Sequence, residues 1–539
     1  MQLRTFSDDF HESNMPNIKQ TDSLQLKNNE LLSSQYSDKT LKKLPKSTLI
    51  FLTVLYMAQG IVIGNNLAVP VLMIDRNKSL TDLAILSSAF LPYSFKILLA
   101  PLIDSIYIKK IGYRKTWICL LFASTSIVFL TSSFFINKLM ENGTVYPVMM
   151  ILLLLTTTQA MADIAVDAWG ITMLSDFDES LKTFCETTGT QIGQIISQTI
   201  FILFESSFFC NKYIRPFFNL ETSNTGIITI ATFYRLLGTL LMVITLVVFL
   251  TKEYQTEDQI FKGELKHAYK SLWKILKNKN VQLLGLWFST ASFFVICGDT
   301  LLMYKIQQKG VPRESLAILE IPVSIMRIVS PALVIKMMMR EKVLNLYRFT
   351  YFCQLCMTLC ASGLVYLASV LGHENSDRNR AKDYPSWFLV MISAYQIVNY
   401  AMLSSWAICS TGGFVNRIVD QRIAGTYITL VVCFYNFGRS FIQMLVVAGA
   451  DVLSVYDCLP KNSTLPLNST VENWNFADLQ NDCENTIGGE WIILFDGYYI
   501  ECTILAVVGF AYWWALSTRL LVKLESQSKI SWKVQNLYD

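Results

Sequence analysis

Runs of roughly twenty apolar residues recur along this chain from Leu49 almost to its C-terminus, and that recurrence limits the fold more than any motif does. A helix needs about 20 residues to cross roughly 30 Å of hydrocarbon. Lipid offers the backbone no hydrogen-bond partner, so each crossing must satisfy its own peptide groups, as a helix does. The runs between loop signals predict spans near 48–72, 82–106, 114–136, 147–172, 183–206, 227–250, 281–303, 315–338, 346–370, 386–411, 423–450 and 496–520. The expected fold class is an all-α polytopic membrane protein with twelve transmembrane helices in two six-helix bundles. Composition agrees, since 52% of the residues are hydrophobic and 16% charged, where a soluble chain carries about 25% charged residues.

Twelve spans place both termini on one side, and the cation content of the short loops decides which side. Lys42, Lys43 and Lys46, Lys109 and Lys110, the 252–279 segment, Arg340 and Lys342, and Lys523, Lys529 and Lys533 share one face, expected to be cytosolic. The Asn-x-Ser/Thr acceptors at Asn77, Asn142, Asn462 and Asn468 all fall on the opposite, lumenal side, where glycosylation occurs. The chain divides into a polar N-terminal tail (1–46), an N-terminal bundle (47–250), a linker (251–280), a C-terminal bundle (281–520) with a lumenal loop at 451–495, and a C-terminal tail (521–539). In the linker, Leu265, Ala268, Leu272, Ile275 and Leu276 line one helical face while Lys266, Lys270, Lys274 and Lys277 lie largely elsewhere, the pattern of a basic interfacial helix. An oxidising lumen can join Cys458 to Cys483, and Cys210 is left unassigned. Cys353, Cys356 and Cys360 fall inside a predicted span and read as packing, not as a zinc site; no cofactor is implied. The net charge of +4 implies no nucleic-acid partner.

A charge at membrane depth costs roughly 2.5–3.5 kcal/mol, so it faces a cavity or a partner. Asp163 and Asp167 are four apart in span four, one turn on from Gln159, and share a face. They either hold cations from neighbouring spans or keep a proton that moves during transport. Span five carries Glu186, Thr190, Gln194 and Gln198 near one stripe, with Gly189 and Gly193 as a small-residue face for close packing. Span eleven shows Asn436, Arg439, Ser440 and Gln443 at helical spacing, span seven adds Asp299, span eight Glu320 and Arg327, and span two Lys96. Lys96, Arg327 and Arg439 lie mid-span, where snorkelling is difficult and a fixed cation binds an anion, so a phosphate-bearing solute is expected. Lys96 before Pro101 and Arg327 before Pro331 form a faint repeat between the halves. Arg235, Glu205 and Asp496 lie near span ends and are set aside as interfacial anchors.

After span two, Asp104 is followed by Gly112, Arg114 and Lys115 in DSIYIKKIGYRK, which resembles the cytosolic loop signature of the major facilitator superfamily. There the acid and bases pair across helix ends in one state and part in the other. SAFLPYSFKILLAPLIDSIYIKKIGYRKTW at 88–117, QAMADIAVDAWGITMLS at 159–175, FFCNKYIR at 208–215, KGVPRESLAILEIPV at 309–323, GTYITL at 425–430 and DGYYIE at 496–501 resemble the acetyl-coenzyme A transporter family of that superfamily. The resemblance runs from span two to span twelve. It implies a twelve-helix carrier of the endoplasmic reticulum or a related endomembrane that moves acetyl-CoA from cytosol to lumen, with CoA a candidate counter-substrate.

For such a ligand, Lys96, Arg327 and Arg439 are the candidates to meet phosphate, with Asn436, Gln194 and Tyr400 beside them. Tyr93, Tyr395, Trp406 and Tyr435 are further candidates to stack on adenine. Asp163, Asp167, Glu186, Asp299 and Glu320 would serve coupling or structural ion pairs, and Asp104, Gly112, Arg114 and Lys115 a gating loop. The alternative cargo is another bulky anion or a sugar conjugate, as in muropeptide permeases, and a non-transporting receptor is the third reading. An enzyme is not expected: an acetyltransferase would want a base at membrane depth, and His11, His267 and His373 all fall in the tail or loops. Monomer and homodimer both stay open.

Overall fold

A computed structural model describes residues 46–76, 78–108, 110–174, 179–253, 265–340, 343–377, 384–418, 424–459 and 490–532. Its N-terminal half comprises α1 (Lys46–Ile74), α2 (Leu80–Ser87), α3 (Leu91–Phe95), α4 (Ala100–Ser105), α5 (Tyr113–Ser132), α6 (Val145–Met173), α7 (Glu179–Gln194), α8 (Phe201–Glu205) and α9 (Ile230–Leu250). After the linker helix α10 (Leu265–Leu276) come α11 (Lys279–Ala291), α12 (Thr300–Gln308), α13 (Arg313–Arg340), α14 (Val343–Asp377), α15 (Ser386–Gln396), α16 (Ser405–Ile418) and α17 (Ala424–Val452). A hairpin of β1 (Val455–Leu459) and β2 (Glu490–Phe495) then leads into α18 (Gly497–Ala515).

Among the described residues nine helices are long and apolar enough to cross a membrane, or ten if the segment 181–217, bent by 72° near Ser206, counts as one span. Two of the expected spans are interrupted. The 80–105 segment passes through 3₁₀ turns at Ser88–Phe90 and Lys96–Leu98, and prolines stand in the first turns of α3 and α4, where a missing N–H is harmless. The 279–308 segment breaks at Ser292–Phe294 and Ile296–Gly298. Irregular backbone at membrane depth must be satisfied by side chains. The carbonyl of Gly298 accepts from Tyr395 OH at 2.7 Å and Asn399 Nδ2 at 3.0 Å. The repeat expected between spans two and eight is not mirrored in the backbone, because α13 runs unbroken through Pro322 and Pro331.

The small-residue face works as expected. A methyl group added at Gly189 would lie 2.8 Å from Tyr56 Cβ, and one at Gly193 2.7 Å from the Ile61 nitrogen, so these glycines let α7 touch the backbone of α1. Across the halves, α17 packs on α2 and α3, and α13 packs on α8 and the 195–200 segment. In α10, Leu272 and Ile275 are buried, and Tyr269 OH donates to the Leu98 carbonyl at 2.7 Å. Asn142 is exposed in the turn before α6, whereas Asn77, Asn462 and Asn468 lie outside the described residues. Cys458 sits opposite Trp491 in the hairpin and is disulfide-bonded; Cys483 also lies outside the described residues.

Candidate functional site

The charges at mid-depth resolve into pairs, and the N-terminal half builds a network that joins helices. Lys96, at the second break before α4, donates to Asp163 of α6 at 2.5 Å and keeps only 7% of its side chain exposed. One turn along α6, Asp167 accepts from Tyr56 OH of α1 at 2.8 Å and from Lys182 of α7 at 2.7 Å. Lys182 also holds Glu186 at 2.9 Å. Asp163 and Asp167 thus each hold a lysine from another segment in this structure. Lys182, which no spacing in the sequence singles out, is the centre of that network.

The C-terminal half gathers around Tyr400. Arg327 of α13 stacks on its ring, 4.2 Å from the centroid, and also pairs with Glu320 one helical face back and reaches Gln191 of α7 at 3.2 Å, across the halves. Arg439 of α17 lies 5.6 Å from the same centroid and donates to Asp299 at 2.9 Å. Tyr400 lies in a π-helical turn, Ile397–Ser404, a local widening of the helix common at functional sites. Tyr400, Arg439 and Asp299, with Phe288, Tyr351 and Tyr435, line a cleft of about 660 Å³ of empty space, part of it open to solvent, and Arg327 meets that lining through the Tyr400 ring. Arg439 keeps 30% of its side chain exposed, so a ligand in the cleft can reach it without displacing a helix.

Other expected site residues fall elsewhere. Tyr395 and Trp406 spend their polar tips on the backbone carbonyls of Gly298 and Ser330, so they brace the fold. Asn436 reaches only the Tyr93 carbonyl, at 3.5 Å. Gln194 is half-buried where α7 meets Gly64 of α1, and the π turn at Ile195–Ile200 re-phases the residues that follow. In the 104–115 loop, Gly112 adopts φ +129°, a region favouring glycine, and Glu253 accepts from the Arg114 and Lys115 amides at 3.0 and 3.3 Å. That loop is tied to the segment after α9 within its own half; the Asp104 side chain lies outside what the structure describes.

Two acids set aside as interfacial anchors prove to be structural. At the end bearing the 451–495 loop, Arg313 of α13 meets Glu205 at 2.5 Å and Asp75 at 3.1 Å, and Gln307 donates to Asp75 at 2.8 Å. Thr81 Oγ1 donates to Asp451 at 2.7 Å, and Ser206 donates to Glu314. All of these bonds join one half to the other, forming a clasp. Beside it Asp496 caps α18 and holds Lys305 and Lys309 at 2.7 and 2.9 Å. Burial favours the neutral carboxyl of Asp496, but the two ammonium groups outweigh it and hold the group below the usual carboxylate range. Arg235 alone of the three stays exposed.

Two helical halves, joined by a clasp at one end and carrying paired charges and a cleft between helices, define a membrane transporter. Solved transporters share the fold. The nucleoside transporter NupG superposes with a TM-score of 0.54 at 11% identity, covering 89% of this chain and 100% of its own. The xylose transporter XylE from E. coli, in an inward-open conformation, gives 0.52 at 12% identity, covering 89% and 99%. The chain belongs to the acetyl-coenzyme A transporter 1 family, whose sequence model matches residues 48–262 and 253–534. Two fungal relatives match along nearly their whole length. An uncharacterised membrane protein of Saccharomyces cerevisiae is 28% identical over 560 residues, covering 89% of this chain and 96% of its own. An uncharacterised protein of Schizosaccharomyces pombe is 25% identical over 512 residues, covering 94% and 93%.

Proposed function

We propose that this chain carries acetyl-CoA from the cytosol to the lumen of the endoplasmic reticulum or a related endomembrane, by alternating access between two bundles of six helices. On this reading the nine long apolar helices, the bent segment 181–217 and the broken segments 80–105 and 279–308 would each cross once, twelve spans in all, which would leave both termini in the cytosol. The observation that carries the reading is Tyr400 on the cleft wall, with Arg439 of the same cleft near its ring and Arg327 stacked on it. Acetyl-CoA presents an adenine ring, a pyrophosphate and a 3′-phosphate, and an aromatic ring flanked by two guanidinium groups supplies both stacking and bidentate charge.

Each guanidinium already holds a carboxylate, Glu320 or Asp299, so the cargo's phosphates take over cations that are never left uncompensated. The clasp of Asp75, Glu205 and Arg313 closes the lumenal end in this state, and the Gly112–Lys115 loop with Glu253 serves as the cytosolic latch. No covalent step is required. The purified chain in liposomes is expected to take up labelled acetyl-CoA, with CoA competing and nucleotide sugars not. Uptake of a nucleotide sugar instead would replace the cargo, and uptake of neither would remove the transport reading.

A further inference from the structure

Around the level of the Lys96–Asp163 pair, the N-terminal half carries a set of neutral polar groups. Gln59 Nε2, Asn66 Oδ1, Tyr93 OH and both amide atoms of Gln159 are buried and, among the described residues, have no hydrogen-bond partner. Antiparallel α1 and α6 are tied at two levels, by Tyr56 OH to Asp167 at 2.8 Å and by Asn66 Nδ2 to Thr156 Oγ1 at 2.5 Å. Gln59 stands three residues after Tyr56 and Gln159 three after Thr156, so both fall on the strip between those bonds. Tyr93 lies one turn before Lys96, the lysine that holds Asp163.

Gln159 is 0% exposed and Gln59 4%, and each unpaired buried polar group costs about 1–3 kcal/mol. Such a cluster is poor packing and good recognition. Every member is uncharged, and together they offer an amide donor, amide acceptors and a hydroxyl, the complement of a ligand amide that both donates and accepts. The surrounding charge excludes phosphate: Asp163, Asp167 and Glu186 outnumber Lys96 and Lys182 by three to two. In the C-terminal half Arg327 and Arg439 balance Glu320 and Asp299.

Resting on the acetyl-CoA reading, we propose that Gln59, Tyr93 and Gln159 form the subsite for the amide-bearing acyl arm of the CoA thioester, while the C-terminal cleft takes its nucleotide end. The cargo then lies across the two halves in one orientation, and each half reads a different end of it. The arm reaches its subsite as the halves part along α3 and α17, where Asn436 meets the Tyr93 carbonyl and Phe95 packs edge-on against Phe437.

The test uses the full chain in liposomes, labelled acetyl-CoA, and two competing fragments: S-acetylpantetheine for the arm and adenosine 3′,5′-bisphosphate for the nucleotide. Gln159→Leu is expected to weaken inhibition by S-acetylpantetheine and raise KM for acetyl-CoA, each about tenfold, and to leave inhibition by the bisphosphate within about twofold. Tyr93→Phe, which removes one oxygen and keeps the ring, shifts S-acetylpantetheine in the same direction by about threefold and decides the matter if the leucine variant fails to fold. Equal weakening of both fragments would show a structural role and overturn the assignment, as would unchanged S-acetylpantetheine inhibition. Thermal shift of the solubilised chain separates this proposal from the cargo reading. A wild-type chain that transports no acetyl-CoA but is stabilised by S-acetylpantetheine only with Gln159 intact loses the cargo and keeps the subsite.

Discussion

The two halves of this transporter hold their buried charges in different ways. In the N-terminal half Lys182 serves two carboxylates, and three acids share two cations across α1, α6, α7 and the break before α4. In the C-terminal half each arginine has its own carboxylate and both share one tyrosine ring. A balanced pair beside an aromatic ring can hand its cation to a phosphate and keep the released acid near the same charge. An acid-rich network repels phosphate and suits a neutral ligand. The comparison thus assigns anion recognition to one half and polar, uncharged recognition to the other.

The largest expected effect comes from Arg439. Arg439→Met leaves Asp299 uncompensated, which costs about 3 kcal/mol, near the low end for a buried pair because the arginine is partly exposed. Acetyl-CoA uptake should fall about a hundredfold, and Arg439→Lys should restore only part of it, since lysine lacks the planar fork. Next is Lys182→Met, which strands Asp167 and Glu186 together and should lower uptake about tenfold. Adding Glu186→Gln should recover a measurable share if acid excess is the cause, and a purely additive double variant would refute that account of the N-terminal half.

Tyr400→Ala is expected to raise KM for acetyl-CoA about tenfold while Tyr400→Phe stays within about twofold, because the ring face and not the hydroxyl is what adenine meets. The smallest effect concerns pH. Asp496 has its carboxyl pKa depressed by Lys305 and Lys309, so the stability it contributes is present above the unfolded value of about 3.9 and is lost only as pH falls through the lower folded value. Asp496→Asn should therefore lower Tm equally at about pH 7.5 and about pH 5.5. A deficit that shrinks at the lower pH would show that these bridges titrate in the neutral range.

Much of this architecture was legible because helices keep one period. The 3.6-residue repeat puts Asp163 and Asp167 on one face and Gly189 and Gly193 on another, and the structure uses both faces in that way. Period says nothing of partners, however. Lys182, Lys305, Lys309 and Arg313 stand near span boundaries, where hydropathy singles none of them out, yet each holds acids from elsewhere in the chain. The 3₁₀ breaks in the 279–308 segment and the π turns at 195–200 and 397–404 escape a reading that assumes unbroken helices. Asp299 and Tyr400 therefore appear in sequence as isolated residues and in space as parts of one cleft lining.

The most direct measurement is a structure of the purified chain with acetyl-CoA bound. The account predicts ligand density between the halves, with phosphate oxygens on Arg327 and Arg439, adenine against Tyr400, and the pantetheine arm running toward Gln59 and Gln159. Phosphates seated on Lys96 or Lys182, or a ligand held wholly within one half, would contradict it.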